Sequence, residues 1–314
     1  MRALVTGAGG FVGYYLVRLL LEKGYTVCAA YHNNPPGDPL FQKTYLERVD
    51  ITHKEAFHSI IYKFAPDEIY HLAGLAVTIG RNPEEYYLVN FCGTVNLFEA
   101  VRKAVPQARV LYVGSAAAYG AVPPEKQPIR EEMPLTPANH YAGSKAAAEA
   151  AACAYAAQGL YIIQARPFNH TGPGQTTDYV CSRLAKKVAE VALGRTEPVI
   201  AAGNLDAARD FTDVRDVVRA YWLLLQKGRP GEDYNICSGT AYTVKEIAET
   251  LASFGGVNIA LQSSPELQRR ADAPLLLGSP EKIRYDTGWQ PEISFRQTLA
   301  DLLEWWRGKL VTPD

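Results

Sequence analysis

No two cysteines in this 314-residue chain stand at the C-x-x-C spacing of a metal or redox site, and their number is odd. The five (Cys28, Cys92, Cys153, Cys181, Cys237) fit reduced thiols in a cytoplasmic protein better than a disulfide framework or a zinc site. Nor is there a block of basic charge. Thirty-two Lys and Arg stand against 33 Asp and Glu, a net charge of −1, so nucleic acid is not expected as a partner. No apolar run approaches a membrane span and no cleavable signal precedes the first strand, so neither membrane nor export is expected. Internal repeats, low-complexity linkers and Pro/Ser-rich hinges are missing as well. What is present, 47% hydrophobic and 21% charged residues, suits one large or two intimate domains with an ample core.

The chain is organised around its first strand, Arg2 to Thr6, and the turn TGAGGFVG (6–13) that carries it into an apolar helix from Phe11 to Leu21. A phosphate needs close backbone approach and unpaired N–H groups, and glycines at a helix N-terminus supply both. Gly7, Gly10 and Gly13 are therefore read as a dinucleotide turn, because a strand precedes them and a helix follows.

Strand-like and helix-like stretches then alternate, which predicts an α/β fold: a doubly wound parallel Rossmann sheet with helices on both faces. Strands are expected at 25–31, 45–49, 68–72, 109–115 and 160–166, with helices at 53–64, 83–103 and 139–157. Beyond Pro167 the rhythm loosens into helices at 178–194 and 214–227 and short strands at 197–202, 209–212 and 234–237. Capping boxes at Thr243–Glu246 and Ser294–Gln297 open two more helices. Residues 1–167 with about 203–227 are expected to form the dinucleotide domain, and 168–202 with about 228–314 a smaller α/β substrate domain.

The chemistry concentrates in two places. Tyr141 and Lys145 stand at i and i+4, one above the other on a helix. An ammonium beside a phenol favours phenolate, so Tyr141 is expected to titrate below its usual range and act as a general acid/base on an alcohol oxygen. Ser115 ends a strand at the carboxyl edge of the sheet, where ligands bind in such folds. Y-x-x-x-K or a strand-end serine alone is commonplace; their order after a glycine-rich first turn is what gives them weight.

TGAGGFVG (6–13), HLAG (71–74), the serine before AAAYG (115–120), YAGSK (141–145) and RPFNHTGPGQ (166–175) resemble the extended short-chain dehydrogenase/reductase family over nearly the whole chain. The stretches 166–175, 203–216 and 234–239 are similar to its GDP-mannose-derived branch. The resemblance implies a Rossmann domain with a sugar-nucleotide domain and a triad of Ser115, Tyr141 and Lys145, the lysine also holding the nicotinamide ribose. Cofactor contacts are expected from Gly7, Gly10, Phe11, Val12, Gly13, His32, Asn33, Asp50, Ile51, Leu72, Ala73, Gly74, Asn90, Tyr141, Lys145 and Pro167. A GDP-sugar is expected at Asn169, His170, Val180, Arg183, Asn204, Arg209, Arg269 and Asp272. A diphosphate needs cationic donors, and this near-neutral chain gathers them at 183–187 and 209. Arg269-Arg-Ala-Asp272 departs from the family's R-P-x-E, and His170 fits a sugar contact or a loop cap equally well.

Two absences narrow the activity. Dehydratases of the branch carry a glutamate two residues after the catalytic Ser or Thr, and here that position is Ala117, which cannot accept a proton. NADPH-dependent reduction of a GDP-4-keto-6-deoxyhexose at C4 is therefore expected, GDP-D-rhamnose being the anticipated product. A 4,6-dehydratase using another base, a nucleotide-sugar 4-epimerase and a non-catalytic NADPH-binding protein are the alternatives. After the second strand, Tyr31-His-Asn-Asn34 offers no acid for a ribose 2′-hydroxyl, which favours NADP over NAD, with His32 and Asn33 as donors to a 2′-phosphate. The alanine-rich helix at 141–157 and the 83–103 helix are expected to build a homodimer interface.

Overall fold

The computed structural model describes residues 1–76, 82–263 and 273–311. Strands β1 (Arg2–Thr6), β2 (Thr26–Tyr31), β3 (Tyr45–Arg48), β4 (Glu68–His71), β5 (Arg109–Val113) and β6 (Ile162–Pro167) alternate with helices α1 (Phe11–Glu22), α2 (Lys54–Phe64), α3 (Pro83–Tyr86), α4 (Gly93–Ala104) and α5 (His140–Ala157). A π-helical turn, Tyr87–Cys92, joins α3 to α4. Then follow β7 (Asn169–Thr171), α6 (Val180–Ala192), β8 (Val199–Ala202), β9 (Ala208–Asp213), α7 (Val214–Lys227), β10 (Asp233–Ile236), β11 (Ala241–Thr243) and α8 (Val244–Gly255). The chain ends through β12 (Ala260–Ser263), β13 (Leu275–Leu276), α9 (Glu281–Thr287) and α10 (Phe295–Val311).

The main sheet has seven strands in the order β10–β6–β5–β4–β1–β2–β3, all parallel. That is a Rossmann sheet, and its direction of winding reverses between β1 and β4. Central strands covered on both faces read as unbroken apolar runs: Ala3, Leu4 and Val5 are fully buried. One face packs on α1 and α7, the other on α2, α4 and α5. The Asn139 side chain caps α5 by accepting from the Ala142 N–H at 2.9 Å, and alanine's high helix propensity carries the rest of that helix.

A smaller unit is built on β9, flanked by β11 and β13 and paired also with β7, with its own core between α6, α8 and α10. Thr243 and Glu246 form both halves of the expected capping box. At α10 only half is made: the Ser294 hydroxyl accepts from Gln297 N–H at 3.2 Å, while the Gln297 amide donates to Asp301.

The division of the chain differs from the boundary read in the sequence. Residues 208–213 lie in the small sheet, whereas β10, assigned from sequence to the substrate domain, is the edge strand of the main sheet beside β6. Trp289, also assigned there, is buried in the core that contains α1 and α7. The physical reason lies in distant partners. Asn235 is held in β10 by Glu131, Ile129 and Tyr119, none of them near it in sequence.

Candidate active site

The first turn is a backbone cradle. Gly7 has φ +70°, and a Cβ there would lie 2.9 Å from the Ala73 nitrogen. A Cβ on Gly13 would lie 2.3 Å from the Gly7 carbonyl oxygen, so only glycine lets α1 start this close to β1. Gly10 caps α1 with no side chain, which leaves the amides of Phe11, Val12 and Gly13 at the helix's positive end. These residues, with Leu72 and Ala73 across the switch point, fit a dinucleotide pyrophosphate.

Ser115 and Tyr141 meet by side-chain hydrogen bond. Ser115 follows β5 and caps a short 3-10 turn, its hydroxyl accepting from Ala117 N–H at 3.2 Å. Tyr141 opens α5 against Tyr86, whose ring stands edge-on at 6.1 Å between centroids. Lys145, one turn on, is buried and donates to the Val113 carbonyl at 2.9 Å. The expected acidic shift of Tyr141 is not found. Burial pushes its phenol up, with the Ser115 hydrogen bond pulling the other way. The group moved toward neutrality is the lysine: burial lowers Lys145 to about 8. Its ammonium donates to the Val113 carbonyl, and a lysine that loses its charge near 8 is already neutral when a phenol raised above its usual value ionises.

Asn90 is buried in the π-helical turn, a distortion that recurs at functional sites. Its side chain accepts from Leu75 N–H at 2.7 Å and donates to the Ser144 hydroxyl at 2.9 Å. A Cβ on Gly74 would lie 2.9 Å from the Asn90 Oδ1 and 3.3 Å from Lys145 Nζ. Gly74, Asn90 and Lys145 thus form one wall, and Pro167 ends the neighbouring β6.

At the other end, the His32 ring lies 3.7 Å from Asp50, and Asn33 is exposed beside it. Asp50 is occupied locally, accepting from Thr52 N–H at 3.0 Å and Thr52 Oγ1 at 2.7 Å; those bonds hold its carboxyl below the usual range. Ile51 packs against Gly93 at the start of α4.

On the opposite side, Val180 and Arg183 line a cavity of about 290 Å³ with Lys187 and Ile200. Asn169 and His170 lie on β7 opposite Phe211 and Thr212 of β9, and Arg209 precedes them on that strand. The His170 ring is fixed by the Phe168 carbonyl at 3.0 Å, and burial lowers its pKa, keeping it neutral. Asn204 serves its own turn, accepting from Asp206 N–H. Arg269 and Asp272 lie outside the described residues. A separate cavity of about 380 Å³, lined by Thr212, Ser238, Arg284 and Ser294 among others, contains none of the expected residues.

The family described as GDP-mannose 4,6 dehydratase matches residues 4–302. The chain belongs to this family. GDP-6-deoxy-D-mannose reductase of Pseudomonas aeruginosa is 34% identical over 98% of each chain. GDP-6-deoxy-D-talose 4-dehydrogenase of Aggregatibacter actinomycetemcomitans is 30% identical over 99% of each. Among solved structures, RMD from Pseudomonas aeruginosa complexed with NADPH is similar with a TM-score of 0.87 and 32% identity, covering 98% of this chain and 99% of that one.

As a member of the GDP-mannose 4,6-dehydratase family, the chain also places beside the candidate site residues that the sequence did not single out. Ser144, inside the YAGSK motif, ties α5 to Asn90. Tyr86 braces Tyr141, and nothing in its local sequence signals that contact. All five cysteines are free. Among the described residues, no helix is long and apolar enough to cross a membrane, and no cluster of three His, Cys, Asp or Glu is placed to hold a metal.

Proposed function

We propose that the protein reduces the C4 ketone of GDP-4-dehydro-6-deoxy-D-mannose with NADPH, giving a GDP-6-deoxyhexose, GDP-D-rhamnose in the first instance. The observation that carries this reading is Ala117. It follows Ser115 in the 3-10 turn, between buried Ala116 and Ala118, at the position where the resemblance to dehydratases of the branch implies a glutamate base. A methyl group cannot remove the C5 proton. The 34%-identical Pseudomonas aeruginosa reductase and the NADPH complex of RMD support the same reading.

The glycine cradle at Gly7, Gly10 and Gly13 and the wall of Gly74, Asn90 and Lys145 fit a nicotinamide dinucleotide. NADPH, when bound, supplies the hydride for C4. Tyr141 gives its phenolic proton to the C4 oxygen as the ketone becomes an alcohol, and its raised pKa keeps that proton available. Ser115 donates a hydrogen bond to the same oxygen and orients it against Tyr141. Lys145 places a buried positive charge beside the developing alkoxide.

Arg183 and Arg209 serve the diphosphate, and Asn169, His170, Val180 and Asn204 the rest of the GDP-sugar. The two-part chain division belongs to the same reading: a cofactor domain on the main sheet and a substrate domain on the smaller one. We also assign a cytoplasmic homodimer, formed through α5 and the exposed Tyr87 and Leu88, with no nucleic-acid or membrane partner.

The test is NADPH oxidation by the purified protein given GDP-4-dehydro-6-deoxy-D-mannose. One NADPH consumed per sugar, abolished in Tyr141→Phe, is the expected result. Conversion of GDP-mannose to a keto sugar with no cofactor consumed would sink the proposal.

A further inference from the structure

We propose that Arg48, at the end of β3, is the residue that binds the adenosine 2′-phosphate of NADPH. The inference rests on the NADPH reading above and names the side chain that selects this cofactor over NADH. In the sequence Arg48 is remote from the turn after β2, where such a residue is normally sought. In the sheet it is adjacent: Arg48 is the register partner of Tyr31, and the Val49 N–H donates to the Tyr31 carbonyl at 2.8 Å. Both strands end at the carboxyl edge, one and two positions out from β1 and its glycine turn. The loop leaving β2 folds back over that turn, with Pro36 Cγ 3.9 Å from where a Gly9 Cβ would stand.

The Arg48 side chain is exposed but not free to wander. Its Nε–H donates to the His32 carbonyl at 3.0 Å, which fixes the guanidinium against the loop. Its two Nη groups meet no acceptor among the described residues. A guanidinium held by Nε with its terminal nitrogens open presents the planar fork that matches phosphate oxygens.

The neighbouring groups leave the task to Arg48. Asp38 Oδ1 accepts from Leu40 N–H at 2.8 Å, and Asp50 Oδ1 is taken by Thr52. Each carboxylate thus has one oxygen engaged locally, and neither directly follows β2, where the ribose-diol acceptor of an NAD site stands. The His32 ring, expected from sequence to serve as a donor, lies 3.7 Å from Asp50 Oδ2.

The experiment is calorimetric titration of the wild-type protein, Arg48→Ala and Arg48→Lys with NADPH, NADH and 2′,5′-ADP. Arg48→Ala is expected to weaken NADPH and 2′,5′-ADP by about tenfold or more, the scale of a lost charge-assisted pair, and Arg48→Lys to recover part of it. NADH affinity should stay within about twofold in both variants, which also reports that the fold is intact. If NADPH and 2′,5′-ADP bind Arg48→Ala as tightly as wild type, while wild type prefers NADPH to NADH, the role of Arg48 is overturned and the cofactor reading stands. If wild type binds NADH as tightly as NADPH, the cofactor reading fails first and takes this inference with it.

Discussion

His71 Nε2 lies 3.1 Å from the hydroxyl of Thr94, the middle link of a buried hydrogen-bonded chain from the first strand to the π-helical turn. The directions follow from the end groups. Ala73 N–H donates to Thr6 Oγ1 at 3.1 Å, and that hydroxyl donates to His71 Nδ1 at 2.8 Å. Nε2–H then donates to Thr94, whose own proton goes to the Asn90 carbonyl at 2.6 Å. Burial lowers His71 to about 3, which keeps the ring neutral and able to accept on one side while donating on the other. The chain couples the backbone beside Gly7 to the residue that holds Leu75 and Ser144.

Thr94→Val keeps the shape and removes the link, leaving a buried imidazole N–H without an acceptor. A loss of about 1–3 kcal/mol in unfolding free energy is expected in urea titration, with Thr94→Ser close to wild type. Equal stabilities for the Val and Ser variants would show that the chain carries no energy.

Lys145 sets the pH dependence. Its pKa is lowered to about 8 by burial, whereas Tyr141 is raised, so the lysine is the group that titrates first as pH rises. Below about pH 8 the ammonium is present and Tyr141 holds its proton, so kcat/KM for ketone reduction should be flat. Above about 8 the charge is lost and kcat/KM should fall with increasing pH. In Lys145→Arg, whose guanidinium stays charged, the inflection should vanish even though the rate is lower. A wild-type profile level to pH 10 or beyond, about two units above that pKa, would remove Lys145 from the role assigned to it.

What could be read from the sequence was local. Helix α7 matches its expected limits, Val214 and Lys227, because an amphipathic repeat of this length carries its own boundaries. Gly7 and Gly13 announce a close backbone approach by spacing alone. Ser115 and Tyr141 come together because α5 begins at the sheet edge where β5 ends, a consequence of the βα alternation that the pattern already showed. What failed needed partners distant in the chain. β10 reads as an ordinary short strand, and only its fit beside β6 puts it in the main sheet. The Tyr141 shift went the wrong way because i, i+4 spacing reports proximity but not burial, which raises the phenol and takes the charge off Lys145 near 8. The π-helical turn around Asn90 left no mark in what read as one continuous helix from 83 to 103.

The same limit applies to Arg166, which the sequence presents only as part of a motif and the structure makes a buried hub. Its guanidinium pairs with both carboxylate oxygens of Glu149, donates to Tyr119 Oη at 2.6 Å and to the Glu131 carbonyl at 2.9 Å, and lies 2.7 Å from Asp233. Burial opposes the charge, but the Glu149 carboxylate outweighs it and Arg166 is shifted upward. Glu149 stands one turn beyond Lys145 on α5, and Tyr119 lies in the turn that begins at Ser115, so the hub braces both elements of the proposed catalytic group. Arg166→Met strands a carboxylate in the interior and should cost about 3–5 kcal/mol in urea unfolding. The double variant Arg166→Met, Glu149→Leu removes the buried pair and leaves only the partly exposed Asp233 without its partner, so it should regain much of that stability, because the larger penalty comes from the buried unpaired Glu149 and not from the absent pair. It should not regain the rate: without the ion pair, α5 keeps a weak contact to β6 at this face, Gln164 Nε2–H to Cys153 Sγ at 3.2 Å, in place of a charged clamp, so kcat should remain low while the protein is folded. A double variant as unstable as the single one would place the cost in packing around Tyr119, and a fully active double variant would show that the hub supports the fold without positioning Tyr141 and Lys145.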